Sequence, residues 1–194
     1  MNSLNNNVVI AGCGNVGSNV ANIISKSMER DYILFLYDSD VLCLKNFPYL
    51  HLSSSRAKKE GFLGAPKSTV LAHMLTETAT CIINPIQKNY VSTEQYNLDY
   101  FKIDCRDNSD NQEKFDIKLC CDGPIGKIII KPPTSTNSSV NNYRLGSNKF
   151  YTMLFAFHVF NFLNTENLNE YTSNTEFFFD LKSNKVWKDT KTNR

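Results

Sequence analysis

The 194-residue chain lacks several features that would place it in a specialised class. It has no long apolar run. The most hydrophobic stretch, Phe150 to Leu163, contains His158 and Asn161 and falls short of the roughly 20 residues a membrane-spanning helix needs. A buried helix is the expectation there, and no membrane partner. Charge of one sign is missing too: 21 basic against 19 acidic residues leave a net charge of +2, too small a field for non-specific nucleic-acid binding. Met1 to Asn7 carries neither a positive charge nor an apolar run, so no secretory signal is read and a cytoplasmic location is expected. The six cysteines, at 13, 43, 81, 105, 120 and 121, form no CxxC knuckles, which argues against structural zinc, and a cytosolic chain of this size rarely builds a disulfide framework. What is plentiful is asparagine, 24 residues in all, beside an ordinary 41% apolar and 21% charged content. The length suits one domain, residues 1–194.

The clearest pattern is at the N-terminus. A β-branched run, Asn7 to Ala11, leads directly into Gly12-Cys13-Gly14-Asn15-Val16-Gly17, after which Val20, Ile23 and Ile24 recur at helical spacing. Ile33 to Tyr37 is a second apolar strand ending in Asp38-Ser39-Asp40, which completes a βαβ unit with parallel strands. Residues 48–64 read as a surface excursion. Pro66 to Thr78 reads as a helix with Pro66 in its first turn. Cys81 to Val91 holds a third strand interrupted by Pro85, Tyr96 to Phe101 an element of undetermined type, and Asp104 to Lys114 a loop. Asp116 to Cys121 and Ile128 to Ile130 follow as strands, 132–146 as a flexible connection, Phe150 to Leu163 as a helix ringed by aromatics, and 177–187 as a terminal hairpin. The fold class expected is α/β: a three-layer Rossmann-like domain with a mostly parallel sheet and a short antiparallel C-terminal hairpin.

A glycine turn between strand and helix brings backbone N–H groups and the positive end of the helix dipole to one anion. Gly12, Gly14, Asn15 and Gly17 are therefore candidates to cradle phosphate, and Asp38, at the end of the second strand, to accept hydrogen bonds from ribose hydroxyls. The same glycines would also serve tight strand–helix packing, and Asp38 a turn. A small nicotinamide-dependent oxidoreductase shares these features, but no Tyr-x-x-x-Lys or His–Asp arrangement follows them.

The order of later segments narrows the choice. Asp38-Ser39-Asp40-Val41 leads to Asn46, then come Gly64-Ala65-Pro66-Lys67, Ile83-Asn84-Pro85 and a strand ending at Asp122-Gly123. This order resembles the ThiF/MoeB/HesA family of adenylating enzymes, whose pattern runs glycine turn, DxDxV with an SNLNRQ-like segment, G-x-x-K, I-N-P and a strand ending in D-N. The resemblance covers about residues 8 to 130. It implies ATP and Mg2+ as cofactors, and as partner a ubiquitin-like or sulfur-carrier protein whose C-terminal carboxylate is adenylated. It also implies roles: Asn46 and Lys67 on the triphosphate, Asp122 on magnesium, with Lys67 and Asp122 the catalytic pair. Each has a plainer use as well, Asn46 in a turn, Lys67 as a helix-start lysine, Asp122 in an Asp-Gly turn. Departures bear on activity. Tyr49 stands where the family has an arginine, leaving Arg56, Lys58 or Lys59 to replace that charge, and only seven residues precede the first strand, where family dimers have a helix that lends an arginine. Asp122 is in register only across a one-residue gap. No cysteine follows Cys121, so no thioester step is expected. A catalytically inactive ThiF-like subunit acting as partner of an active enzyme is the alternative, and the assembly implied is a homodimer or a heterodimer with a ThiF-like subunit.

Overall fold

The computed structural model describes residues 6–46, 54–91, 100–106, 114–132 and 149–189. Eight strands form one sheet in the order β3-β2-β1-β4-β5-β6-β7-β8. These are β1 (Val8–Ala11), β2 (Ile33–Tyr37), β3 (Ile82–Ile86), β4 (Phe101–Asp104), β5 (Ile117–Asp122), β6 (Ile125–Ile130), β7 (Thr175–Asp180) and β8 (Lys185–Asp189). The first five run parallel and the last three alternate, so the sheet is mixed and mostly parallel, with a β7–β8 hairpin at its far edge. The helices are α1 (Asn15–Ile24), α2 (Ser54–Lys59), α3 (Lys67–Thr76) and α4 (Lys149–Thr165).

Alternation along the strands decides which face is dry. Val8 and Ile10 of β1, Leu34 and Leu36 of β2, and Ile117 and Leu119 of β5 point to one side, where α1, α3 and α4 cover them in a single apolar core. Each large side chain buried there contributes about 1.5–3 kcal/mol. Gly126 makes room in that core: a Cβ at this position would lie 2.2 Å from the Phe155 ring of α4. Val9, Ala11, Phe35 and Tyr37 face the other way, under Tyr90 and Phe115, and no helix covers them among the described residues.

Several sequence expectations shift. Strand β4 begins at Phe101, the last residue of the untyped element, and ends at Asp104, the first residue of the expected loop; residues 96–99 lie outside the described residues. The 48–64 excursion contains α2, whose Ala57 is buried against Leu42 and Val70. Pro66 precedes the first turn of α3 as its cap residue. Pro85 sits within β3 without ending it, because β3 is the sheet edge and a missing N–H is tolerated there. The aromatic helix α4 buries Phe155, Val159 and Phe162 but leaves Phe150 58% and Phe157 51% exposed, so its apolar ring is only partly covered. His158, expected in the core, is half-buried against Phe179. Past residue 132, the connection expected at 132–146 lies outside the described residues, as does Tyr49. No described helix is long and apolar enough to cross a membrane.

Candidate functional site at the carboxyl ends of the parallel strands

The order β2-β1-β4 puts the point where strand order reverses between β1 and β4, the place where open α/β sheets leave a crevice. The glycine turn after β1 opens there, and its three glycines are required for different reasons. Gly12 has φ +96°, and a Cβ on it would meet the Cys105 carbonyl carbon and Arg106 Cγ at 3.0 Å. Gly17 allows α1 to close on the turn, since a Cβ there would lie 1.8 Å from the Gly12 oxygen. Gly14 answers to neither need. Its backbone is extended, and among the described residues nothing lies within 4 Å of where its Cβ would be. It precedes α1 as the cap residue, with no side-chain cap and no acid in the first helical turn. A ten-residue helix thus starts without a side-chain cap, and the positive end of its dipole suits an anion.

Asp38 follows β2 and is tied into the turn. Its Oδ2 accepts the Cys13 N–H at 2.6 Å, and its Oδ1 accepts the Asp40 N–H at 2.8 Å. Two bonds leave lone pairs on a carboxylate, so the turn function and a ribose function are compatible. Lys67 opens α3, and its Nζ lies 2.6 Å from Asp40 Oδ2. Between them the chain is stapled by backbone bonds, Lys67 N–H to the Asp40 carbonyl at 2.9 Å and Leu42 N–H to the Ala65 carbonyl at 2.8 Å, and by an antiparallel bridge between Val41 and Pro66. Burial pushes the Cys13 thiol well above its ordinary pKa; Asp38 reinforces the shift and Lys67 opposes it, so both charges act on the turn. The structure therefore brings Gly12, Gly14, Asp38, Asp40 and Lys67 together from three segments.

Other expected residues are placed differently. The Asn15 side-chain oxygen accepts the Thr152 hydroxyl at 2.9 Å, which ties it to α4. Asn46 ends a short 3-10 turn, Leu44–Asn46, where its side-chain oxygen accepts the Cys43 N–H at 2.8 Å and faces the Cys43 thiol at 3.0 Å. Asp122 is the last residue of β5, exposed, in a tight hairpin where Gly123 has φ +53°. It shares the carboxyl end of the sheet with Asp38, but β1 and β4 stand between their strands, a separation of about 14 Å at the usual strand spacing. Arg56 pairs with Glu60 at 2.8 Å.

A second charged group escaped the sequence reading. Asp104, 1% exposed at the end of β4, accepts from Arg106 Nε at 2.9 Å and lies 3.7 Å from Lys118 Nζ, while the Arg106 guanidinium sits 5.0 Å over the Phe115 ring. Burial raises the Cys105 thiol well above its ordinary pKa, and Asp104 adds to the shift, so it has none of the thiolate character a nucleophile needs. The aspartate–asparagine dipeptide Asp107-Asn108 follows β4, the strand beside β1. Both residues lie outside the described ones.

No protein-family model matches the chain, and no curated protein sequence matches it. Solved structures do match. E. coli MccB with MccA-N7isoASN has a TM-score of 0.63 at 16% identity, over 96% of this chain and 64% of that one. MccB with ATP gives 0.63 at 17% identity, over 97% and 64%. PaaA gives 0.63 at 14% identity, over 96% and 64%. The chain spans a little under two thirds of the length of these neighbours. At these identities the likeness carries the fold: an α/β chain with the mixed, mostly parallel sheet of MccB.

Proposed function

We propose that this chain binds ATP across the glycine turn and adenylates the C-terminal carboxylate of a peptide or small carrier protein. The observation that carries the reading is Gly14. Among the described residues neither backbone conformation nor packing demands a glycine there, whereas a phosphate approaching the uncapped start of α1 does. Asp38 would hold the ribose and Lys67 a phosphate oxygen. In the transfer, a carboxylate oxygen bonds to the α-phosphorus as the bond to pyrophosphate breaks, and the leaving pyrophosphate takes the electron pair. Among the solved neighbours, MccB has been captured with ATP and with AMPCPP plus the peptide MccA, which favours a peptide carboxylate over other acids. A ubiquitin-like or sulfur-carrier protein is the finer form of the same proposal.

Magnesium fits as a partner of the nucleotide. No group of three ligating side chains exists among the described residues, and Mg2+ is ordinarily held by one or two carboxylates together with phosphate oxygens. Asp122 is one candidate carboxylate and Asp107 the other; bound there, the ion would offset charge on the triphosphate.

The test is calorimetric titration with ATP and magnesium, followed by ATP–pyrophosphate exchange with candidate peptides ending in a free carboxylate. Lys67→Ala is expected to weaken ATP binding at least tenfold, the scale of one charge-assisted contact. Equal affinity of the variant, or preference for NADH over ATP, would remove the proposal. The alternative of an inactive subunit is favoured by one observation, the commitment of the Asn46 oxygen to Cys43. It predicts ATP binding without exchange, and co-purification with a larger homologous chain.

A further inference from the structure

The lysine assigned to phosphate already faces an acid. Lys67 is mostly covered, with its side chain 11% exposed, whereas the Asp40 side chain against it is 67% exposed. The positions of both are set by backbone. The Lys67 N–H is bonded to the Asp40 carbonyl, the Asp40 N–H is bonded to Asp38 Oδ1, and the intervening segments are bridged at Val41 and Pro66. Asp40 is therefore held beside Lys67 whatever its side chain does. An exposed carboxylate fixed in this way is a counter-ion that an arriving anion must replace.

Resting on the ATP reading above, we infer that Asp40 is a specificity-determining residue: it competes with the nucleotide phosphates for the Lys67 ammonium and so sets the affinity of the site for polyphosphate, but not for the nucleoside. The pair orients the ammonium toward the rim in the nucleotide-free chain. On binding, the ammonium passes from carboxylate to phosphate, and the exposed Asp40 carboxylate turns to water. A solvent-facing ion pair is weak, so the competition is modest and reversible.

The experiment is a double-mutant cycle by calorimetry on the full chain. The wild type, Asp40→Asn, Asp40→Glu, Lys67→Ala and the Asp40→Asn/Lys67→Ala double variant are each titrated with magnesium ATP and with adenosine. Asp40→Asn is expected to bind ATP about three- to tenfold more tightly than the wild type, the inverse of one exposed ion pair, with adenosine unchanged. Asp40→Glu should return ATP affinity to the wild-type value. In the Lys67→Ala background the gain from Asp40→Asn should fall below about twofold. ATP binding in Asp40→Asn that equals the wild type or is weaker overturns the inference while leaving the ATP reading intact. A gain that persists without Lys67 also overturns it, because the acid then acts by repulsion alone. Parallel losses for ATP and adenosine would mark Asp40 as structural and sink the inference in the same way. Failure of every chain, wild type included, to bind either ligand removes the nucleotide reading and this inference with it.

Discussion

Gly14 and Gly17 carry the same side chain, a single hydrogen, for opposite reasons, and the difference is measurable. At Gly17 a Cβ would be driven to 1.8 Å from a backbone oxygen that belongs to the turn itself, so helix α1 would have to move off the sheet. Gly17→Ala is expected to cost at least the 1–3 kcal/mol typical of overpacking, seen as a lowered melting temperature. At Gly14 a Cβ meets none of the described residues, and the change to alanine costs only the cap preference, about 1 kcal/mol or less. Its effect should appear instead in ATP titration, where the methyl obstructs the helix start. Thermal melts and calorimetry on the two variants separate the packing glycine from the ligand glycine. A Gly14→Ala chain that binds ATP normally would return the whole motif to packing. The sequence could list these glycines but could not sort them, because the distinction lies in what surrounds each: Arg106 and Cys105 against Gly12, and the Gly12 oxygen against Gly17.

Elements were legible where the apolar period was long and unbroken. β1, α1 and β2 bury continuous or helically spaced residues, and each was readable to within a residue or two. β4 was not, because its four residues alternate Phe101 and Ile103 with Lys102 and Asp104, and a buried acid in a strand looks like a loop residue. The same confusion of charge with exposure hides a pair further along the sheet. Lys127 of β6 and Glu176 of β7 meet at 2.9 Å with side chains 9% and 6% exposed. Burying two charges costs nearly what their attraction returns, whereas removing one leaves the other stranded. Glu176→Leu alone is thus expected to destabilise by about 3–5 kcal/mol, and Lys127→Met together with Glu176→Leu to recover most of that loss. Chemical denaturation of the three chains reads the difference directly. Equal stability of the single and double variants would show that the two charges do not act on each other.

Across the whole molecule, strand order decides which residues can share a ligand, and order is what spacing along a chain conveys least. Asp38 and Lys67 were named together through the family resemblance, and backbone bonds from the Asp40–Leu42 stretch to the start of α3 hold the two segments side by side. Asp122 was assigned by its place at a strand end, but that strand is two removed from the glycine turn, and the register constrains it further. Asp104 of β4 is level with Lys118 of β5, so Asp122 stands four residues, about 13 Å, past the level where β4 ends. β4 is the direct neighbour of β1, level with it at Ala11 and Asp104, and the aspartate following it in the chain is Asp107. If the metal travels with the triphosphate at the start of α1, the aspartate that follows β4 in the chain, Asp107, is the expected ligand rather than Asp122. Magnesium-dependent ATP binding is therefore expected to weaken more than tenfold in Asp107→Asn and less than threefold in Asp122→Asn, each titrated with and without chelator so that the metal-dependent part is isolated. The opposite ranking would put the ion at the β5–β6 hairpin and require the triphosphate to extend over β4 to reach it, a longer site than the glycine turn alone defines.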